Sequence, residues 1–170
     1  MIIRAENCSI IRRDNLNKTF KLKCECCVVL QNKIKKILVP MDGSKTSFKA
    51  LDEAIGIARA CHATILGFHG ISFLPTGFMP SVVPYQIYQK KETGKFMEKA
   101  KLLAAKKGIL FRYAIVFGNP VEQILAITKS KKCDLIVIGA RGKGRIREFF
   151  LGSVSNAILH NSSVPVLLVK

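Results

Sequence analysis

The sequence predicts an α/β fold, an open parallel sheet with helices on both faces, and two observations carry that prediction. From Lys35 onward, short apolar runs of strand length alternate with longer stretches of helical period, the pattern that builds successive βαβ units. The runs themselves, such as "KKILVP", "TILGFHGI" and "CDLIVIG", are continuously apolar, as strands buried beneath helices on both sides must be.

Residues 35–40 read as the first strand, ended by Pro40, and "DGSKTSFKALDEAIGIARACHA" follows as a helix with Phe48, Leu51, Ile55 and Ala58 on one face. The second strand is 64–71. After a Pro- and Gly-rich loop over 72–84, a lysine-rich helix is predicted from about Tyr85 to Lys107, turning Tyr88, Phe96, Ala100 and Leu103 to the core. The third strand is 111–118. Asn119 then suits an N-cap and Pro120 the first helical position, with Val121, Ile124, Leu125 and Thr128 at helical spacing. A fourth strand runs through Ile138, a last helix covers 152–161, and "VPVLLVK" supplies the fifth strand.

The 170 residues suffice for one domain with a real core. No uninterrupted apolar stretch approaches the roughly 20 residues of a membrane span, so no transmembrane segment is predicted. A net charge of +17 favours anionic partners, whether nucleotide, nucleic acid or acidic membrane surface. Charge alone does not choose among them, and most of the lysines read as solvated helix faces. The six cysteines are irregularly spaced and no signal peptide precedes them, so a cytoplasmic location is expected. Cys24, Cys26 and Cys27 lack the second Cys/His pair that a structural zinc site needs. Residues 1–33 show no sustained period and stand apart as an N-terminal extension. They are read as a disordered basic tail, a lipid-modified tail or an artefact of the assigned start.

Ligands of such sheets bind beyond the strands' carboxyl ends, where neighbouring connections leave on opposite faces. Asp42 follows the first strand and Gly139 the fourth, at the head of "GARGKGRIREFFLGSVSNAILHN". That stretch fails as a Walker A loop, because Gly144 is followed by Arg145 and Ile146. It also fails as a dinucleotide fingerprint, since its first two glycines are too far apart and the helix begins too late. What stands is Gly139-x2-Gly142-x9-Gly152-Ser153. Glycines at a strand exit let backbone approach a ligand, and a helix N-terminus offers N–H groups to an anion. Ser153 is expected to cap that helix and to donate to phosphate.

This spacing, with "ILVPMDGS" at the first strand and "VPVLLVK" at the last, resembles the ATP-binding branch of the universal stress protein family over 34–170. The resemblance implies a Rossmann-like, five-stranded parallel sheet in the order 3-2-1-4-5. It implies that Pro40, Asp42 and Gly43 line the nucleoside end of an ATP site, the Asp42 carboxylate accepting from adenine or ribose. Gly70 would present backbone to adenine. Ile138, Gly139 and Gly142 would run beside ribose and phosphates, and Gly152, Ser153 and Val154 would hold the phosphate tail, often with Mg²⁺ or Mn²⁺. Two departures stand out: Ala140-Arg141 replaces the commoner Ser-His or Ser-Arg, and Gly70 replaces a larger aliphatic residue.

The bare edge of the last strand calls for a partner. A homodimer through antiparallel pairing of strand 165–170 is expected, and the resemblance points the same way. The implied function is nucleotide-dependent regulation in a stress response. A slow Mg-dependent ATP hydrolase is the alternative, although no convincing base for water is legible. A basic nucleic-acid or anionic-surface binder is a second alternative; specific nucleic-acid reading is not expected, because aromatics are few and no reading motif occurs. His69 reads as a structural histidine near the site, Phe149 and Phe150 as packing residues, and Arg141, Lys143, Arg145 and Arg147 as loop charges that could add phosphate attraction but more often are merely solvated.

Overall fold

The computed structural model describes residues 34–71, 82–142 and 151–170. The N-terminal extension with its three clustered cysteines, the loop over 72–81, and Lys143, Arg145, Arg147, Phe149 and Phe150 lie outside the described residues. Among the described residues nine elements follow one another: β1 (Lys36–Pro40), α1 (Lys45–Cys61), β2 (Thr64–Ile71), α2 (Val82–Lys106), β3 (Phe111–Phe117), α3 (Pro120–Ser130), β4 (Leu135–Gly139), α4 (Ser153–Asn161) and β5 (Val166–Val169). The strands form one all-parallel sheet in the order β3-β2-β1-β4-β5, as expected from the sequence.

The pleat sorts each strand's apolar residues between two cores. Ile37, Val39, Leu135 and Val137 pack under α1 and α2. Leu38, Ile136 and Ile138 pack under α3 and α4, with Phe68, Ile124 and Ile158. Central β1 and β4 are thus covered on both sides, which is why their sequences do not alternate. Ile37, Leu38, Val39, Ile136 and Val137 are wholly buried, and each contributes on the order of 1.5–3 kcal/mol by leaving water.

Local signals place the helix ends. Ser44 caps α1, its hydroxyl oxygen accepting from Ser47 N–H at 3.1 Å, and His62 closes it in a left-handed conformation (φ 52°) with its N–H on the Ala58 carbonyl. The Asn119 side chain accepts from Val121 N–H at 3.0 Å with Pro120 at the first helical position of α3. At α4 the expectation is corrected: Gly152 is the N-cap, no side chain caps the helix, and Ser153 is its first helical residue.

A second correction concerns α2. The buried face carries Thr93, Met97, Ala100 and Ala104, whereas Tyr88 and Leu103 are exposed and Phe96 is half-buried. Small or flexible side chains let this long helix lie close to a sheet face already filled by the Phe111 ring, which occupies the room where a Gly67 side chain would stand. Among the described residues no helix is long and apolar enough to cross a membrane.

Candidate functional site

The two crossovers on one face and the two on the other diverge between β1 and β4, leaving a cleft at the carboxyl ends of these strands. The ladder carries β1 one residue past its end. Met41 N–H donates to the Phe68 carbonyl at 2.8 Å, and His69 Nδ1 donates to the Met41 carbonyl at 2.6 Å. Because a carbonyl only accepts, this bond puts the proton on Nδ1. The ring also stands edge-on to Phe96, 5.3 Å between centroids.

Asp42 therefore emerges at the cleft from a fixed point. Its Oδ1 accepts from Ser44 N–H at 2.9 Å, and Oδ2 faces Gly142 so closely that a Cβ there would lie 2.6 Å away. The opposite wall depends on Gly139, where a Cβ would come within 3.0 Å of the Thr46 backbone carbon and 3.1 Å of its carbonyl oxygen. Only glycine allows the first turn of α1 to lie so near the end of β4. The Thr46 hydroxyl then donates to the Arg141 carbonyl at 2.6 Å, binding α1 to the segment that leaves β4.

The first turn of α4 forms the third wall. Gly152 N–H donates to the Ala140 carbonyl at 2.9 Å, and the buried Ser155 hydroxyl donates to the Gly139 carbonyl at 2.8 Å. With no capping side chain at Gly152, the N–H groups of this turn and the positive end of the helix remain directed at the cleft.

The result is a cavity of about 280 Å³, near the lower end of the roughly 300–1,000 Å³ of small-molecule sites. Nine of the residues singled out from the sequence line it: Pro40, Asp42, Gly70, Ile138, Gly139, Gly142, Gly152, Ser153 and Val154. Gly43 is not among them. It adopts φ +79°, which turns the chain away into α1, and it lines a separate shallow groove with Lys45, Phe48 and Lys170. Met41, Ser47, Phe68, Pro120, Ile124 and Ser155 also line the cavity, as do His69 and Arg141. Ser47 could have been found through Ser44, the N-cap of α1, whose hydroxyl oxygen accepts from the Ser47 N–H. Pro120 and Ile124 carried none as site residues, because α3 reaches the cavity only through the crossover from β3.

The lining joins an apolar floor (Phe68, Pro120, Ile124, Ile138) to one carboxylate, Asp42, and one guanidinium, Arg141. This donor set suits a ligand with a flat apolar body, hydrogen-bond donors and an anionic tail. No group of three or more His, Cys, Asp or Glu side chains among the described residues is arranged to hold a metal ion.

The sequence profile described as the universal stress protein family matches residues 33–170. The chain belongs to the universal stress protein family. Universal stress protein YxiE of Bacillus subtilis is 36% identical over 148 residues, covering 79% of this chain and 98% of its own. Universal stress protein MJ0531 of Methanocaldococcus jannaschii is 32% identical over 143 residues, covering 82% and 84%. Among solved structures, universal stress protein UspA from Lactobacillus plantarum superposes with a TM-score of 0.74 at 21% identity over 81% of this chain and 99% of its own, a likeness of fold. A universal stress protein solved in complex with cAMP superposes at 0.62 with 26% identity, covering 81% and 98%.

Proposed function

We propose that this universal stress protein binds ATP in the β1/β4 cleft and acts as a nucleotide-dependent regulatory protein, with residues 34–170 as the binding unit. The observation that carries the reading is convergence: Asp42, the three motif glycines and the uncapped start of α4 meet in one cavity. A relative solved with cAMP, itself an adenine nucleotide, supports it.

In this reading the base and ribose lie against Pro40, Gly70 and Ile138, with the Asp42 carboxylate accepting from adenine or ribose donors. Gly139 and Gly142 admit the ribose and phosphates against bare backbone. Gly152 lets the phosphate tail approach bare backbone, and Ser153 and Val154 take it through their N–H groups and the Ser153 hydroxyl. Gly43 contributes only the turn behind Asp42. Mg²⁺ or Mn²⁺ would ride on the phosphates rather than on a cluster of side chains. The edge of β5, where Leu167 is exposed, pairs antiparallel with a second copy.

The test is to denature the protein purified from its natural source, identify any released small molecule, and titrate the apo protein with ATP and GTP. ATP in the release and preferential ATP binding are expected. An empty site with no measurable ATP affinity overturns the proposal, and rapid multiple turnover with Mg²⁺ that is lost in Ser153→Ala would make the protein an ATP hydrolase instead.

A further inference from the structure

A parallel sheet gives the molecule two unlike ends. Strand carboxyl ends and helix N-termini meet at the cavity; strand amino ends and helix C-termini meet opposite it. At that far end β1 begins beside Lys35 and Lys36, α1 closes on Arg59, and the chain leaves α2 through Lys107 and α3 through Lys131 and Lys132. All but Lys36 are exposed, and Lys36 Nζ donates to the Lys131 carbonyl at 2.8 Å, joining two of these elements. Asp134 also lies at this end, and its Oδ2 accepts from the Lys35 and Lys36 N–H groups at 2.8 and 2.9 Å. Cations offset the partial negative charge of helix C-termini, which accounts for Arg59 in the last turn of α1. Lys107 and Lys132 lie beyond their helices and exceed that need.

Exposed leucines share this end. The Leu110 carbonyl accepts from Ile65 N–H at 2.9 Å, and Ile109 and Phe111 on either side are buried, yet the Leu110 side chain is 56% exposed. Leu102, one turn before the end of α2, is 62% exposed, and Leu159, in the last turn of α4, is 41% exposed. Tyr88, the exposed aromatic among the described residues, is far away, about 27 Å back along α2 at 1.5 Å per residue.

We propose that this basic, leucine-bearing end docks the protein on an anionic bilayer surface, with the cavity facing away from the lipid. Lysines and arginines gather anionic headgroups, and exposed aliphatic side chains enter the interface beside them. A nucleic acid would use the charge but not the leucines.

The test is cosedimentation of the full chain with vesicles of phosphatidylcholine containing about 30% phosphatidylserine, and with pure phosphatidylcholine. Binding to the anionic vesicles alone is expected, falling as salt rises. Lys107→Glu/Lys131→Glu should lower partitioning about tenfold or more, and Leu110→Ser about threefold or more, with unfolding midpoints equal to the parent's. The proposal is overturned by equal binding to both vesicle types, by no binding to either, by full retention in Leu110→Ser, or by duplex DNA capturing the protein as tightly as the anionic vesicles. Since the cavity lies at the other end, a failure of ATP binding leaves this result unchanged, and the reverse holds too.

Discussion

The Ser155 hydroxyl donates a 2.8 Å hydrogen bond to the Gly139 carbonyl, so the first turn of α4 is held against the last residue of β4. Together with the 2.9 Å bond from Gly152 N–H to the Ala140 carbonyl, it sets the distance between the two halves of the glycine motif. Ser155→Ala leaves the Gly139 carbonyl without this donor in a buried place. A loss of about 1–3 kcal/mol is expected, read as a lower urea midpoint at unchanged slope, and ATP affinity should fall as the α4 N-terminus loosens.

Gly142→Val tests the close approach to Asp42. The new Cβ would lie 2.6 Å from Asp42 Oδ2, and the carboxylate, at the end of a short side chain, is the group that can give way. ATP affinity should drop about tenfold or more, about 1.4 kcal/mol, while thermal stability barely changes. Isothermal titration beside a melting curve separates the two effects, and unchanged affinity would show that Asp42 does not meet the ligand.

Gly70→Val tests the departure at β2. A Cβ there would stand 3.0 Å from Pro120 Cα and 3.2 Å from its Cβ, against the start of a capped helix that has little freedom to move. Overpacking of this kind costs about 1–3 kcal/mol. The expected outcome is a lowered unfolding midpoint with weaker ATP binding, in contrast to Gly142→Val, which should affect binding alone.

Cys133 sets an alkaline limit. Burial pushes its thiol up from the ordinary value of 9.0; Lys36 pulls it part of the way back, and Asp134 adds to the rise. A folded-state value above the unfolded one means that the folded protein holds the proton more tightly. The corresponding stability is present below about pH 9 and is lost as pH rises through the folded value. Cys133→Ala should flatten that alkaline fall in a series of denaturation curves, and native Cys133 should react with iodoacetamide far more slowly than after unfolding.

Much of this was legible because it is local. The strand boundaries follow from apolar runs between breakers, and Asn119-Pro120 announces its own helix start by the chemistry of adjacent residues. The glycine motif and Asp42 marked the cavity through their positions after two strands of one parallel sheet. The face of α2 was not legible: its lysine-rich sequence offers Tyr88 and Leu103 as plausibly as Met97 and Ala104 to a core. That choice is made by the sheet opposite, where the Phe111 ring fills the place above Gly67 and leaves room for small or flexible side chains only.

The sequence by itself determined the order of strands and helices and singled out nine of the cavity's lining residues, through period, capping and glycine spacing between neighbours along the chain and through the resemblance its motifs carry. Tertiary structure decided the rest. It excluded Gly43, whose left-handed turn carries it out of the cleft, and it brought in Pro120, Ile124 and Ser155 from elements whose meeting depends on sheet order and crossover direction. It also gathered at one end lysines and leucines that are scattered in sequence, because in a parallel sheet every strand begins, and every covering helix ends, on the same side.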